Sequence, residues 1–89
     1  MKANEAVFAL EDDDPGVQVE ALQALIDSGA AWRLEGSIGR AAMAAIEDGV
    51  CMLGEESHRD YWGNYVPSRH EVVPGTKGSP EFVAERQGE

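Results

Sequence analysis

The chain of 89 residues has room for one small domain, and its 17 acidic and 7 basic residues give a formal net charge of −10. This charge repels phosphate backbones and anionic lipid surfaces, so free nucleic acid and membranes are excluded as general partners. A single cysteine permits no intrachain disulfide, and no apolar run reaches the length of a membrane span. We therefore expect a protein that works in a reducing cytoplasm.

Two amphipathic helices, separated by an acidic connector, are predicted over residues 3–28. Apolar residues in 3–10 recur at i, i+3, i+4 and i+7, the spacing of one helix face. Four adjacent acids at 11–14 disfavour a continuing helix, and either Asp13 or Asp14 can cap a second helix beginning at Pro15. That helix runs to about Ser28 and ends at Gly29, because glycine readily adopts the left-handed conformation of a helix stop. Its predicted buried stripe is Val19, Leu22, Leu25 and Ile26.

A short extended segment and a third helix are predicted next. Trp32 and Leu34 alternate with charged residues, which is typical of a strand with one buried face. Ser37 offers a side-chain cap for a helix that ends at Gly49. Residues 50–53 form an apolar run that suits either a strand, which could pair with the Trp32 segment, or a buried extended exit.

After Gly54 the composition changes, and we expect an extended arm over residues 55–89. Glycines and prolines recur between residues 63 and 80, which suppresses continuous helix and central strands. Four of the six aromatic residues also lie in this part, whereas disordered tails are poor in aromatics. The arm should therefore lie against its own core or another chain. The predicted fold is mainly α: a small three-helix core with a short extended segment (1–54) and a Gly/Pro-rich, aromatic C-terminal arm (55–89).

The stretch ALIDSGAAWRLEGSIGRAAMAAIEDG, residues 24–49, resembles a family of small uncharacterised proteins encoded by bacteriophages of Actinobacteria. Its tail, YWGNYVPSRHEVVPGTKGSPEFV, is similar to that of the longer members. The residues that carry the resemblance are Trp32, Leu34, Gly36, Gly39, Arg40 and Gly49. The resemblance implies no particular activity, but it implies a setting: a virus-encoded accessory protein in the cytoplasm of a bacterial host.

The sequence GSIGR at 36–40 is a candidate anion-binding loop. The free backbone N–H groups and dipole of a helix N-terminus can hold a phosphate or carboxylate, with Ser37 and Arg40 as side-chain contacts. The string lacks the lysine of a P-loop and the dinucleotide fingerprint. The alternative is simple helix capping, with Arg40 paired to a local carboxylate such as Glu35.

No pattern of catalytic, metal-binding or cofactor-binding residues is evident. Cys51, His58 and His70 lack the paired spacing of a zinc site, and residues 12–14 lack the alternating ligands of a calcium loop. No acid–base pair, catalytic triad or cofactor fingerprint stands at a recognisable spacing. We expect a non-enzymatic protein without metal or cofactor, in which Cys51 is a small buried side chain.

The aromatic arm supplies the best candidates for binding a partner: Tyr61, Trp62, Tyr65 and Arg69. Trp, Tyr and Arg dominate the hot spots of protein interfaces, although these rings could equally fill the protein's own small core. The leading hypothesis is an accessory protein that binds a host or viral protein, for example as an inhibitor. Two alternatives stay open: a self-assembling homodimer or larger homo-oligomer, and an acidic mimic of nucleic acid that occupies a DNA-binding protein.

Overall fold

Helices make up most of the fold, as the sequence predicts. The computed structural model describes residues 1–34 and 36–88. Its elements, in chain order, are α1 (Ala3–Ala9), α2 (Pro15–Ser28), α3 (Ala30–Arg33), α4 (Gly36–Glu47), β1 (His58–Arg59), β2 (Tyr65–Val66) and α5 (Pro80–Gln87). The Cα radius of gyration is 12.2 Å, close to that of a compact chain of this length.

The first two helices form where they were predicted, and they pack along each other. Pro15 begins α2, and the side chain of Asp14 accepts a hydrogen bond from the Gly16 N–H at 2.8 Å. Gly29 ends this helix with a φ of 82°, in the left-handed region that favours glycine. Leu25 and Ile26 are fully buried, and they form the centre of the hydrophobic core.

The predicted extended segment around Trp32 is wrong, because Ala30–Arg33 form the single helical turn α3. Trp32 is 3% exposed, so it does reach the core, but from a helix. An alternation of only four residues cannot separate a strand from one helical turn, and two alanines favour the turn. Gly29 thus redirects the chain between two helices, and the predicted three-helix core gains a fourth helical element.

The next helix, α4, begins two residues earlier than a cap at Ser37 predicts. Gly36 is its first residue, so Ser37 is its second and not its cap. The buried residues of α4 are Ala42, Ala45 and Ile46.

Residues 50–53 lead out of α4 without forming a strand, so the predicted pairing with the Trp32 segment is wrong. The expected buried extended exit holds only in part, because Cys51 and Leu53 are buried but residues 50 and 51 are bends and Val50 is 39% exposed. The amide side chain of Gln23 holds Met52 at both backbone groups, with distances of 2.9 and 3.1 Å. The Leu53 N–H donates to the Gly78 carbonyl at 3.0 Å. The exit is therefore fixed by α2 on one side and by the C-terminal part on the other.

The C-terminal part is more structured than an extended arm. The strands β1 and β2 pair in an antiparallel hairpin, with His58 opposite Val66 and Arg59 opposite Tyr65. Ser79 caps α5 by accepting a hydrogen bond from the Phe82 N–H at 3.1 Å. This helix was not predicted. Val66 and Ser79 are buried, so this part of the chain lies against its own core.

Arg69 is the main polar link between the C-terminal part and the helices. Its Nε donates to the Leu53 carbonyl at 2.8 Å, and its backbone N–H donates to the Gly54 carbonyl at 2.8 Å. Its guanidinium also forms an ion pair with Asp27 near the end of α2. The Arg69 side chain is 12% exposed and that of Asp27 is 41% exposed, so the guanidinium is shielded from water while the carboxylate remains partly solvated.

Cys51 is buried as predicted, at 1% exposure. Desolvation, and then the nearby charge of Asp27, raise the pKa of the thiol from 9.0 to about 11. The folded protein therefore keeps the thiol protonated at a pH where the unfolded chain would ionise it.

We expect the folded protein to lose stability between about pH 9 and pH 11 because of Cys51. The unfolded thiol releases its proton in this window and the folded thiol does not, so unfolding becomes easier by about 2–3 kcal/mol, whereas below pH 9 the thiol contributes no pH dependence. Urea unfolding at pH 7, 9 and 10.5 measures this effect. The Cys51→Ala variant should lack this part of the decline, and parallel curves for the two proteins would contradict the assignment.

Candidate functional site at the hairpin tip

The hairpin tip is a five-residue loop, residues 60–64, organised by one carboxylate. Asp60 Oδ1 accepts hydrogen bonds from the backbone N–H groups of Trp62, at 2.9 Å, and Asn64, at 2.8 Å. The Gly63 N–H donates to the Asp60 carbonyl at 3.0 Å. An aspartate that accepts from the backbone two residues ahead is a common way to fix a turn. The loop is thus held by its own hydrogen bonds.

The tip presents two large aromatic side chains to solvent. Tyr61 is 71% exposed and Trp62 is 77% exposed. Their ring centroids are 5.1 Å apart and their planes meet at 83°, the edge-to-face geometry that aromatic pairs favour. The structure thus leaves these two predicted binding residues outside the protein's own core.

The base of the hairpin is anchored to the helices. The His58 ring lies against Gly29, where an added Cβ would be 2.4 Å from His58 Cε1. Its buried Nε2 has no hydrogen-bond partner among the described residues, so packing and not a polar bond holds the ring. Val66, opposite His58, is 4% exposed. The strands that carry the tip are therefore held in place by packing against the helices.

A cleft of about 200 Å³ separates the tip from the helices, and we call it the tip cleft. One wall is the loop, and the other is formed by α3 and α4. The loop contributes Asp60, Tyr61 and Trp62, and the helical wall includes Trp32, Leu34, Gly39, Arg40 and Met43. Pockets for small-molecule ligands are commonly about 300–1,000 Å³, so the tip cleft alone has room for a single large side chain. A depression of about 500 Å³ that also borders Tyr61 and Trp62 shares Leu34 and Gly36 with it.

The two predicted anion-binding residues differ in their relation to the tip cleft. Arg40 lines it, while Ser37 is exposed on the first turn of α4 and is not among its lining residues. Arg40 makes no hydrogen bond or ion pair within the described residues. Its predicted pairing with Glu35 falls outside the described residues. The structure thus brings Arg40 together with Tyr61 and Trp62, a juxtaposition that the sequence analysis did not anticipate.

The other two predicted binding residues take part in intramolecular contacts. Tyr65 donates a hydrogen bond from its hydroxyl to Glu71, and the Arg59 guanidinium lies 5.7 Å from the centre of its ring. The bonds from Tyr65 and from the Ser68 N–H lower the pKa of the Glu71 carboxyl. Tyr65 remains 52% exposed, whereas Arg69 points into the protein. The free surface of the site is therefore centred on Tyr61 and Trp62.

Comparison with protein-family models, curated proteins and solved structures finds no match to this chain. Within residues 1–34 and 36–88, no three His, Cys, Asp or Glu side chains come together in a way that could hold a metal ion. No helix in this part of the chain is both long enough and apolar enough to cross a bilayer. The geometry of the tip and its cleft is therefore the basis for any functional proposal.

Sequence reasoning missed Asp60 and His58 as the residues that shape the site. The string Asp60 to Asn64 contains Asp, Gly and Asn, which are residues that favour turns, so the loop had a local signal. The contact between His58 and Gly29 had none, because it joins residues 29 positions apart through packing alone.

Proposed function

We propose that this chain is a non-enzymatic interaction protein that binds a partner protein through Tyr61 and Trp62. The observation that carries the proposal is the exposure of both rings on a loop fixed by Asp60 and anchored through His58. A rigid aromatic side chain adds large contact area and loses little conformational entropy on binding. Under the phage resemblance, the partner is a host or viral protein in the bacterial cytoplasm, and binding could inhibit it.

The contrast between exposed and buried aromatics supports this proposal. Trp32 fills the core at 3% exposure, so the protein places a tryptophan inside where stability needs one. The edge-to-face pair at the tip adds little to the core, and exposed aromatic pairs beside a cleft are typical of binding surfaces. A protein partner also fits the charge, because a chain with a net charge of −10 repels free nucleic acid.

Affinity capture from a lysate of an actinobacterial host, followed by binding measurements on the captured protein, tests this proposal. We expect Trp62→Ala to weaken binding at least about 30-fold, the effect of losing a hot spot worth 2 kcal/mol or more. Phe8→Ala is the matched control, because Phe8 is 79% exposed in α1. Equal binding by wild type and Trp62→Ala would contradict the proposal.

Substitution of Asp60 tests whether binding requires the fixed loop conformation in addition to the two aromatic rings. Asp60→Ala removes the acceptor of two loop N–H groups, while Asp60→Asn keeps a side-chain oxygen at the same position. We therefore expect Asp60→Ala to weaken partner binding more than Asp60→Asn, with both rings still in the chain. If both variants bind as wild type does, the fixed loop is not needed for recognition.

A further inference from the structure

Two arginines, one in the tip cleft and one in a depression that adjoins it, indicate what kind of segment this surface accepts. Arg40 lines the cleft, and a Cβ added at Gly36 would lie 3.1 Å from Arg40 Nη1, so the guanidinium lies over the first residue of α4. Arg33 lies beside the same loop, in a depression that it shares with Tyr61 and Trp62. Neither arginine has a hydrogen-bond or ion-pair partner within 1–34 and 36–88.

Asp60, the acidic residue among the described residues that line the cleft, already accepts hydrogen bonds within the loop. Asp60 is the carboxylate that the loop contributes, and its Oδ1 accepts from Trp62 and Asn64. Its Oδ2 also accepts from Asn64 Nδ2 at 3.4 Å. Arg40 in the tip cleft and Arg33 in the adjoining depression therefore have no partner among residues 1–34 and 36–88, in a protein whose overall charge is −10.

The charges close to the cleft determine whether a negatively or a positively charged ligand is favoured. At physiological ionic strength the Debye length is about 8 Å, so distant carboxylates are screened while Arg33 and Arg40 act at contact distance. A guanidinium recognises a carboxylate with paired, charge-assisted hydrogen bonds. The rings of Tyr61 and Trp62 and the side chain of Met43 offer an apolar surface beside these cations.

We propose that the tip cleft binds a short segment of a partner protein in which an aromatic or large aliphatic side chain lies next to a carboxylate. The apolar side chain enters the cleft between Trp62 and α4, and the carboxylate contacts Arg40 and Arg33. This inference rests on the proposed function, because it specifies the chemistry of the surface that Tyr61 and Trp62 bind.

Three acetylated tripeptide amides test the inference on the full chain: Glu-Phe-Glu, its neutral counterpart Gln-Phe-Gln and its basic counterpart Lys-Phe-Lys. Titrations are followed by the amide signals of Gly36 and Gly39 and the indole N–H signal of Trp62 in 1H–15N spectra. We expect the acidic peptide to shift all three signals and to bind about fivefold more tightly than the neutral one, the size of effect that exposed charge pairs produce. The basic peptide should bind least.

Substitution of one cation inside the cleft and one outside it provides a test with a matched control. Arg40→Gln should weaken binding of the acidic peptide about threefold and leave the neutral peptide unchanged. Lys77→Gln makes the same change in net charge at an exposed site in the C-terminal part, and it should leave both affinities unchanged. Trp62→Ala should abolish the shifts for both peptides.

Equal affinity for the acidic and neutral peptides would overturn the inference, as would shifts confined to other parts of the chain. Binding of adenosine monophosphate at these signals without binding of the acidic peptide would also overturn it, and would assign the cleft to a nucleotide. With a captured partner, weaker binding by Trp62→Ala together with a wild-type affinity for Arg40→Gln would refute the inference and leave the proposed function standing. Wild-type affinity in both variants would refute both.

Discussion

The Gly29→Ala substitution is expected to lower the free energy of unfolding by about 2–4 kcal/mol, the largest effect that we predict for removal of a glycine from this chain. The residue has a φ of 82°, which costs an alanine about 1 kcal/mol or more. In addition, the new Cβ would lie 2.4–2.9 Å from three atoms of the His58 ring, so the ring would have to leave its place. Urea unfolding monitored by circular dichroism measures the loss.

Gly75→Ala is the control that isolates the contact with His58. Gly75 has a φ of 90°, and an added Cβ would have nothing within 4 Å, so this variant reports backbone strain alone. Gly29→Ala should cost at least about 1 kcal/mol more than Gly75→Ala, and this excess should disappear when both are made in a His58→Ala background. Equal losses in the wild-type background would show that the His58 contact is not a constraint.

The second large effect is expected at Arg69. Arg69→Met keeps the apolar stem but removes the donor to the Leu53 carbonyl and the ion pair with Asp27. Because the side chain is mostly buried, we expect the free energy of unfolding to fall by about 1.5–3 kcal/mol, as for a hydrogen bond that involves a charged group. Arg69→Lys retains the charge without the Nε donor, and it should fall between the wild type and Arg69→Met.

Hydrogen exchange shows whether Arg69 holds the C-terminal part in place. In Arg69→Met, the backbone amides of Leu53 and of residue 69 should exchange faster, because they form the hydrogen bonds that join this part to the core. The amides of Leu25 and Ile26, in the middle of α2, should change less. A uniform acceleration across the chain would instead mean that Arg69 stabilises the fold as a whole and has no local role.

The parts of the fold that the sequence predicts are those fixed by neighbouring residues. α2 was predicted with its start at Pro15, because the cap and the proline are adjacent in the chain. α5 begins with the same kind of signal, Ser79 followed by Pro80, but the surrounding glycines and prolines led to the prediction of an extended arm. Here the local cap was the better guide, since composition averages over residues that take different conformations.

The parts that could not be predicted depend on contacts between distant residues. Trp32 was expected to be buried, and it is, but its helical conformation follows from the redirection of the chain at Gly29. The exposure of Trp62 cannot be deduced from residue type, because Trp32 is the same residue and is buried. The approach of Arg40 to Tyr61 and Trp62 depends on how the hairpin is anchored, and the sequence carries no pattern for that contact.

The anchoring of the hairpin has a consequence for finding the partner. The base of the hairpin packs on Gly29 through His58, and Arg69, three residues after β2, bonds to the carbonyls of Leu53 and Gly54, so the tip keeps its position only while the helices are folded. A ligand that requires this arrangement binds the native state alone, and at a concentration 100 times its dissociation constant it adds about 2.7 kcal/mol of stability. An increase in melting temperature that Trp62→Ala abolishes therefore reports occupancy of the tip, which allows candidate partners and peptides to be screened by thermal denaturation without a label.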